Sequence, residues 1–292
     1  MGLMDSLAQL GLKDLKVDDL YANDEEEKAS QVKRPAKVVK VQEEFKEEDF
    51  VYLKQFECPV CEHKYKDFVV KSGKARMIAT DKDLRPIYEK IEPIKYETIM
   101  CPQCGYTSMS RYFGPLAPTQ KKWIIEGLSG NVDTKKDPNA TTLSYEEGIK
   151  RISLALASAI IKKAKDSEKA YICLKGGWLC RSYRLTLDEN DPETEALAKS
   201  LIEEEKEFLE NAYEGFVKAR QSERFPIGGM DEPTLDYLLA VLALNRGDYA
   251  VSSKMIASLL QSPVTPERIK DKARTLKEEL IVLIKKNSKA SQ

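Results

Sequence analysis

Cys58-Pro59-Val60-Cys61 and Cys101-Pro102-Gln103-Cys104-Gly105 are two C-x2-C stretches with 39 residues between Cys61 and Cys101. Two-residue spacing lets one tight turn aim both sulfurs at a single ion, and two such turns complete a tetrahedral thiolate site. Proline pre-sets the start of each turn, and a glycine after the second Cys supplies a left-handed backbone position. Gly105 provides it in the second stretch; Glu62 stands there in the first and weakens the turn expectation without touching the ligands. Cys58, Cys61, Cys101 and Cys104 are therefore the expected ligands of one structural Zn2+. Four protein ligands leave no open position for water or substrate. A redox role for the two pairs would call for a βαβ setting that the flanking residues lack. His63, the only His in the chain, reads as a neighbour of the site rather than a ligand.

Outward from the cysteines, residues 50–123 read as a small zinc-binding β module. Strands are expected at Phe68-Val69-Val70, Ala75 to Thr80 and Tyr96 to Met100, with a turn at Ser72-Gly73. Pro86 and Pro93 argue against regular structure between them. Residues 124–143, with Gly127, Gly130 and Pro138, read as a connector, in which Trp123-Ile124-Ile125 offers an anchor.

Residues 144–292 are helical in pattern. Ser144 and Glu147 form an S-x-x-E capping box before a helix carrying Ile149, Ile152, Leu156 and Ala159. A second helix is expected over 167–187. A third starts at Asp191-Pro192, with Leu197, Leu201, Phe208, Ala212 and Phe216 on one face. A Gly228-Gly229 loop follows, then helices near 233–246, 248–261 and 266–286. Ala240, Gly247 and Ser252 fall on the small and turn positions of a tetratricopeptide-like helix pair. A helical-repeat domain is the reading, with a plain helix bundle as the alternative. The fold class expected is thus α+β, mostly α. Cys173 and Cys180 share a helix face and read as buried apolar residues.

Residues 1–49 look like an acidic arm. Leu3, Leu7 and Leu10 suit a short helix that either docks a partner or lies on the protein itself; charge blocks follow, and mobility is expected over about 22–46. Met1-Gly2 with Ser6 also satisfies the loose myristoylation pattern, without the nearby polybasic patch that stable anchoring needs.

Composition narrows the function classes. The 292 residues include 47 Lys and Arg against 48 Asp and Glu, a net charge of −1 that excludes a globally basic nucleic-acid binder. Residues 58–123 alone are basic, 12 against 7, a net +5 that zinc thiolates would reduce to about +3. No signal-peptide pattern is present, and no apolar run approaches the ~18 residues of a membrane span, so a cytoplasmic protein away from membranes is expected. No phosphate-cradling glycine loop, H-E-x-x-H or G-x-S-x-G occurs, and one His removes most His-based catalysis. Arg111, Arg181 and Arg184 are given no role, and Glu203 to Glu205 with Glu207 read as a solvated face.

The combination of both knuckles with Asp83-Leu84-Arg85-Pro86, Pro93-x2-Tyr96, Tyr106 and the helices resembles an uncharacterised bacterial family, domain of unknown function 2225, over about residues 50–285. The resemblance implies a bacterial cytoplasm, zinc and helical repeats, and no activity. The residues point to a non-enzymatic scaffold or adaptor holding a protein or peptide partner on its helical surface. The alternative is nucleic-acid binding through the basic zinc-ribbon-like module, whose lysines are interleaved with Tyr65, Phe68, Tyr88 and Tyr96.

Overall fold

A computed structural model describes residues 45–128, 134, 137, 139–188 and 191–290. The leucine-tipped segment, the myristoylation pattern and the expected mobile stretch up to residue 44 lie outside the described residues, as does most of 129–138. The rest is mostly helical, with a small strand module ahead of the helices.

Three antiparallel hairpins make up the strand module. Strands β1 (Val51–Glu57) and β2 (Lys64–Val70) pair from Val51↔Val70 to Glu57↔Lys64. β3 (Met77–Thr80) pairs with β4 (Pro86–Tyr88), and β5 (Thr98–Met100) with β6 (Thr107–Met109). Pro86 therefore does enter a strand, at its first residue, where a missing N–H is tolerated. The expected strand over 96–100 begins later, because Pro93–Tyr96 closes into a 3-10 turn capped by the Glu92 carboxylate on the Ile94 N–H. β1 was not expected: five of its seven residues face solvent, so no apolar alternation marks it.

Helix α1 (Pro118–Leu128) replaces the first part of the expected connector, and buries Ile124 and Leu128, one turn apart. Then come α2 (Tyr145–Ile161), α3 (Asp166–Arg184), α4 (Pro192–Ser222), α5 (Glu232–Asn245), α6 (Tyr249–Gln261) and α7 (Glu267–Ala290). The Ser144 hydroxyl accepts the Glu147 N–H at 3.2 Å, while the Glu147 carboxylate turns to Arg151 instead of closing the reciprocal half of the box. On α4, Leu201, Phe208, Ala212 and Phe216 are buried as expected, and Leu197 is exposed.

Close approach of α3 and α4 depends on small residues. A Cβ at Gly176 would lie 2.8 Å from the Phe208 ring, and one at Gly177 2.8 Å from the Leu209 side chain. The main apolar core joins Ile152, Ile172, Leu179, Phe216, Leu235 and Leu238 to Ile94 and Met109 of the strand module. A second core lies among α5, α6 and α7, around Val241, Ile256, Ile269 and Leu276. From Lys46 on, the described residues form one compact unit.

Candidate metal centre

Each C-x2-C stretch is the tip of a hairpin. The last β1–β2 pair is Glu57↔Lys64 and the last β5–β6 pair is Met100↔Thr107, so residues 58–63 and 101–106 are equivalent connections. Their hydrogen bonds match one to one. Cys58 N–H donates to His63 O and Cys101 N–H to Tyr106 O, both at 2.9 Å; Glu62 N–H reaches Cys58 O at 2.9 Å and Gly105 N–H reaches Cys101 O at 3.0 Å. Gly105 has φ +76° and Glu62 φ +60°. The first turn thus forms as the second does, in spite of its missing glycine.

Asp67 sets the two hairpins against each other. Its carboxylate accepts the Met100 N–H at 3.1 Å, one residue before Cys101, and the Arg151 guanidinium of α2 at 3.0 Å. Both side chains are fully buried, so charge meets charge where water cannot screen it. The Arg151 Nε also donates to Glu147 at 2.9 Å. Thr107 N–H is tied to Ser158 Oγ at 3.2 Å, a further link from β6 to α2. Sequence reading missed both links, since Asp67 and Arg151 stand 84 positions apart and carry no local pattern.

This framework brings together all four predicted ligands. The sulfurs of Cys58, Cys61, Cys101 and Cys104 lie within 4.8 Å of one another. Cys58 Sγ is 3.6 Å from Cys104 Sγ, and Cys61 Sγ is 3.6 Å from Cys101 Sγ. A tetrahedral ion with metal–sulfur bonds of about 2.3 Å sets its sulfurs about 3.8 Å apart, so the four thiols fit a metal ion. The Val60 N–H points at Cys58 Sγ, 3.4 Å away, where it can spread thiolate charge. Tyr65, Ile99, Tyr106, Ile124 and Leu128 wall the cluster, which explains why α1 buries Ile124 and Leu128.

The thiols polarise one another. Hydrogen bonds from Cys104 and Cys58 bring Cys101 down to about 2, and sharing a site with Cys101 pushes Cys58 up to about 12 and Cys104 upward as well. A divalent cation would displace the protons of the thiols it binds. His63 is outside the group: it stacks on Tyr65, with ring centroids 6.1 Å apart. Cys173 and Cys180 are buried in α3, and burial raises both thiols, up to about 12 for Cys173.

The Asp83-Leu84-Arg85-Pro86 loop, carried between the two knuckles, docks on α3. Trp178 Nε1 donates to Asp83 at 3.1 Å, and Arg181 reaches Asp83 at 2.8 Å and Asp81 at 3.2 Å. Arg85 donates to Asp81 at 2.6 Å and to Ser182 Oγ at 2.7 Å, and that hydroxyl donates to Glu92 at 2.6 Å. Arg181 also pairs with Glu205 at 2.7 Å, so one member of the acidic run expected to be solvated is half-buried and engaged. Among the described residues, no helix is long and apolar enough to cross a membrane.

None of the curated proteins and none of the solved structures compared with the chain matches it. A family model described as uncharacterized protein conserved in bacteria (DUF2225) matches residues 51–280, a span that holds both knuckles, the docked loop and nearly all of the helices. The chain belongs to that bacterial family.

Proposed function

We propose that this protein is a non-enzymatic, cytoplasmic adaptor, stabilised by one Zn2+, that holds a protein partner on its helical surface. The observation that carries this reading is the division of labour between its parts. The four thiols account for every position of a tetrahedral ion, as in structural zinc-ribbon-like modules, and leave no place for a substrate. The helices, by contrast, keep large apolar side chains in solvent, among them Ile202, Ile281 and Ile284. The α5–α6 pair supports a tetratricopeptide-like description. Gly247 turns at φ +84°, and Ser252 Oγ donates to the Ala240 carbonyl at 2.9 Å across the helix crossing. Helix pairs of this kind stack into curved surfaces that hold peptides.

Metal analysis and co-purification test the two halves. Protein purified without chelator should carry one zinc per chain; Cys58→Ser or Cys104→Ser should lose it, and Cys173→Ala should keep it. A partner recovered from the native cell should depend on residues 144–286. Zinc retained by the double variant Cys58→Ser with Cys101→Ser would refute the metal assignment. Tight, salt-sensitive RNA or DNA binding with no partner retained would favour the nucleic-acid reading, for which Lys54, Lys64 and Lys66 are exposed lysines on the first hairpin.

A further inference from the structure

We infer that the outer face of α7 pairs with a second copy of this chain, the two α7 helices lying antiparallel about a two-fold axis at Ile281 and Val282. This goes beyond the adaptor reading and does not depend on it. Leu280 to Ile284 are five apolar residues in succession, more than one helical turn. A helix stretch that is apolar all round is ordinarily covered all round. Leu280 is buried and Leu283 packs against the second core, but Ile281, Val282 and Ile284 stay 42%, 54% and 44% exposed. The exposed positions next to this stretch are charged: Lys277 and Glu278 before it, Lys285 and Lys286 after it. Asn287, near the end of α7, donates to the Tyr249 hydroxyl at the start of α6 at 2.9 Å, so the two helices run antiparallel. Lys254 is the one charged residue of α6, and its exposed Val251, Ala257 and Ser258 are neutral.

The charges decide what covers the stretch. Glu278 and Lys285 are both exposed and seven residues apart. Seven residues are two turns to within about 20°, so the two share one face of the helix, with Ile281 and Val282 midway between them. Along the axis they are about 10 Å apart, too far to pair within one helix. Glu278 makes no ion pair among the described residues. One turn before it Arg274 is held by Glu267 at 2.8 Å and by Asp271, and one turn after it come Ile281 and Val282. A second α7 turned end over end about the midpoint sets its Lys285 opposite Glu278 and its Glu278 opposite Lys285, and lays Ile281 and Val282 on their own copies. A parallel copy sets like charge against like. The face is thus complementary to itself in the antiparallel sense. The apolar stretch is short beside the about 1,200–2,000 Å² buried in stable complexes, so this dimer exchanges with monomer in the micromolar range.

Sedimentation equilibrium of the full chain, from about 1 to about 300 µM, tests this. The mass should rise with concentration from that of one chain to that of two. Ile281→Asp with Val282→Asp changes exposed side chains and should leave a folded monomer over the whole range. Glu278→Lys and Lys285→Glu should each weaken the dimer about tenfold or more, since each sets like charges opposite one another. The swapped variant carrying both changes should regain it, and so should an equimolar mixture of the two single variants. Another protein docking on this face would meet both changes as losses, whereas a two-fold contact restores itself. A monomer at every concentration, or single variants that dimerise as the parent does, would overturn the inference. So would a swapped variant and a mixture that both stay monomeric. A monomeric parent that recovers a cellular partner through residues 144–286, and loses it when Ile281 and Val282 become Asp, would give the face to that partner. That result would overturn the dimer and leave the adaptor reading standing.

Discussion

At the scale of single residues, the two knuckles carry the same hydrogen bonds with different residues at one position. Gly105 reaches φ +76° without cost, whereas Glu62 holds φ +60° with a Cβ facing its own backbone. A side chain in that region costs about 1–2 kcal/mol. Glu62 is exposed, so its removal sacrifices no burial. Glycine loses more chain entropy on folding, which returns part of the gain. Glu62→Gly should therefore raise stability by about 0.5–1 kcal/mol with metal content unchanged. Denaturant unfolding of the metal-loaded protein measures this, and an equal or lower midpoint would show that the turn is not strained. The ligands themselves were legible because four identical chemical groups at short spacing are a local signal. The backbone angle was not, since neighbouring strand pairing imposes it on an unsuitable residue.

At the scale of elements, the crossing of α5 and α6 shows what helical periodicity can convey. Asp231 caps α5 by accepting the Thr234 N–H at 3.0 Å. At the other end Gly247 N–H bonds Leu244 O and Asp248 N–H bonds Ala243 O, the bond pair of a glycine-terminated helix. Ala240 and Ser252 are fully buried between the two helices. Ala240→Leu should overpack that contact and cost about 1–3 kcal/mol, while zinc stays bound. Unfolding measured with metal content on the same samples checks both halves; stability within error of the parent would mean the crossing is looser than the Ser252–Ala240 bond indicates. Caps, a turn glycine and small residues at i, i+12 are all readable along the chain. The strand β1 and the helix α1 were not. β1 exposes most of its residues, and α1 buries only Ile124 and Leu128 beside a Gly127 that suggests a loop.

At the scale of the whole molecule, polar contacts distant in sequence bind strands to helices. Asp67 with Arg151 joins the first hairpin to α2, and the Arg85–Asp81–Arg181–Glu205 chain joins the 81–86 loop to α3 and α4. Neither was visible beforehand, because charge pairs have no periodicity and their partners come from separate elements. The loop contact has a defined pH signature. Burial alone would raise the Asp81 carboxyl, but hydrogen bonds and charge from Arg85 and Arg181 outweigh it and hold the group below its ordinary value. A carboxyl depressed by folding contributes stability above its unfolded pKa of about 3.9, and that contribution disappears as pH falls through the folded value. Arg181 is itself raised, chiefly against burial by Asp83, and stays charged throughout this range. The parent protein should consequently be more stable than Asp81→Asn from neutral pH down to about pH 5, and the gap should close below about pH 4. Thermal melts of both proteins over this range measure it. A constant gap at all pH values would mean that Asp81 acts by shape and hydrogen bonding alone; no gap at neutral pH would mean that the loop is held by Asp83 and Trp178 without it.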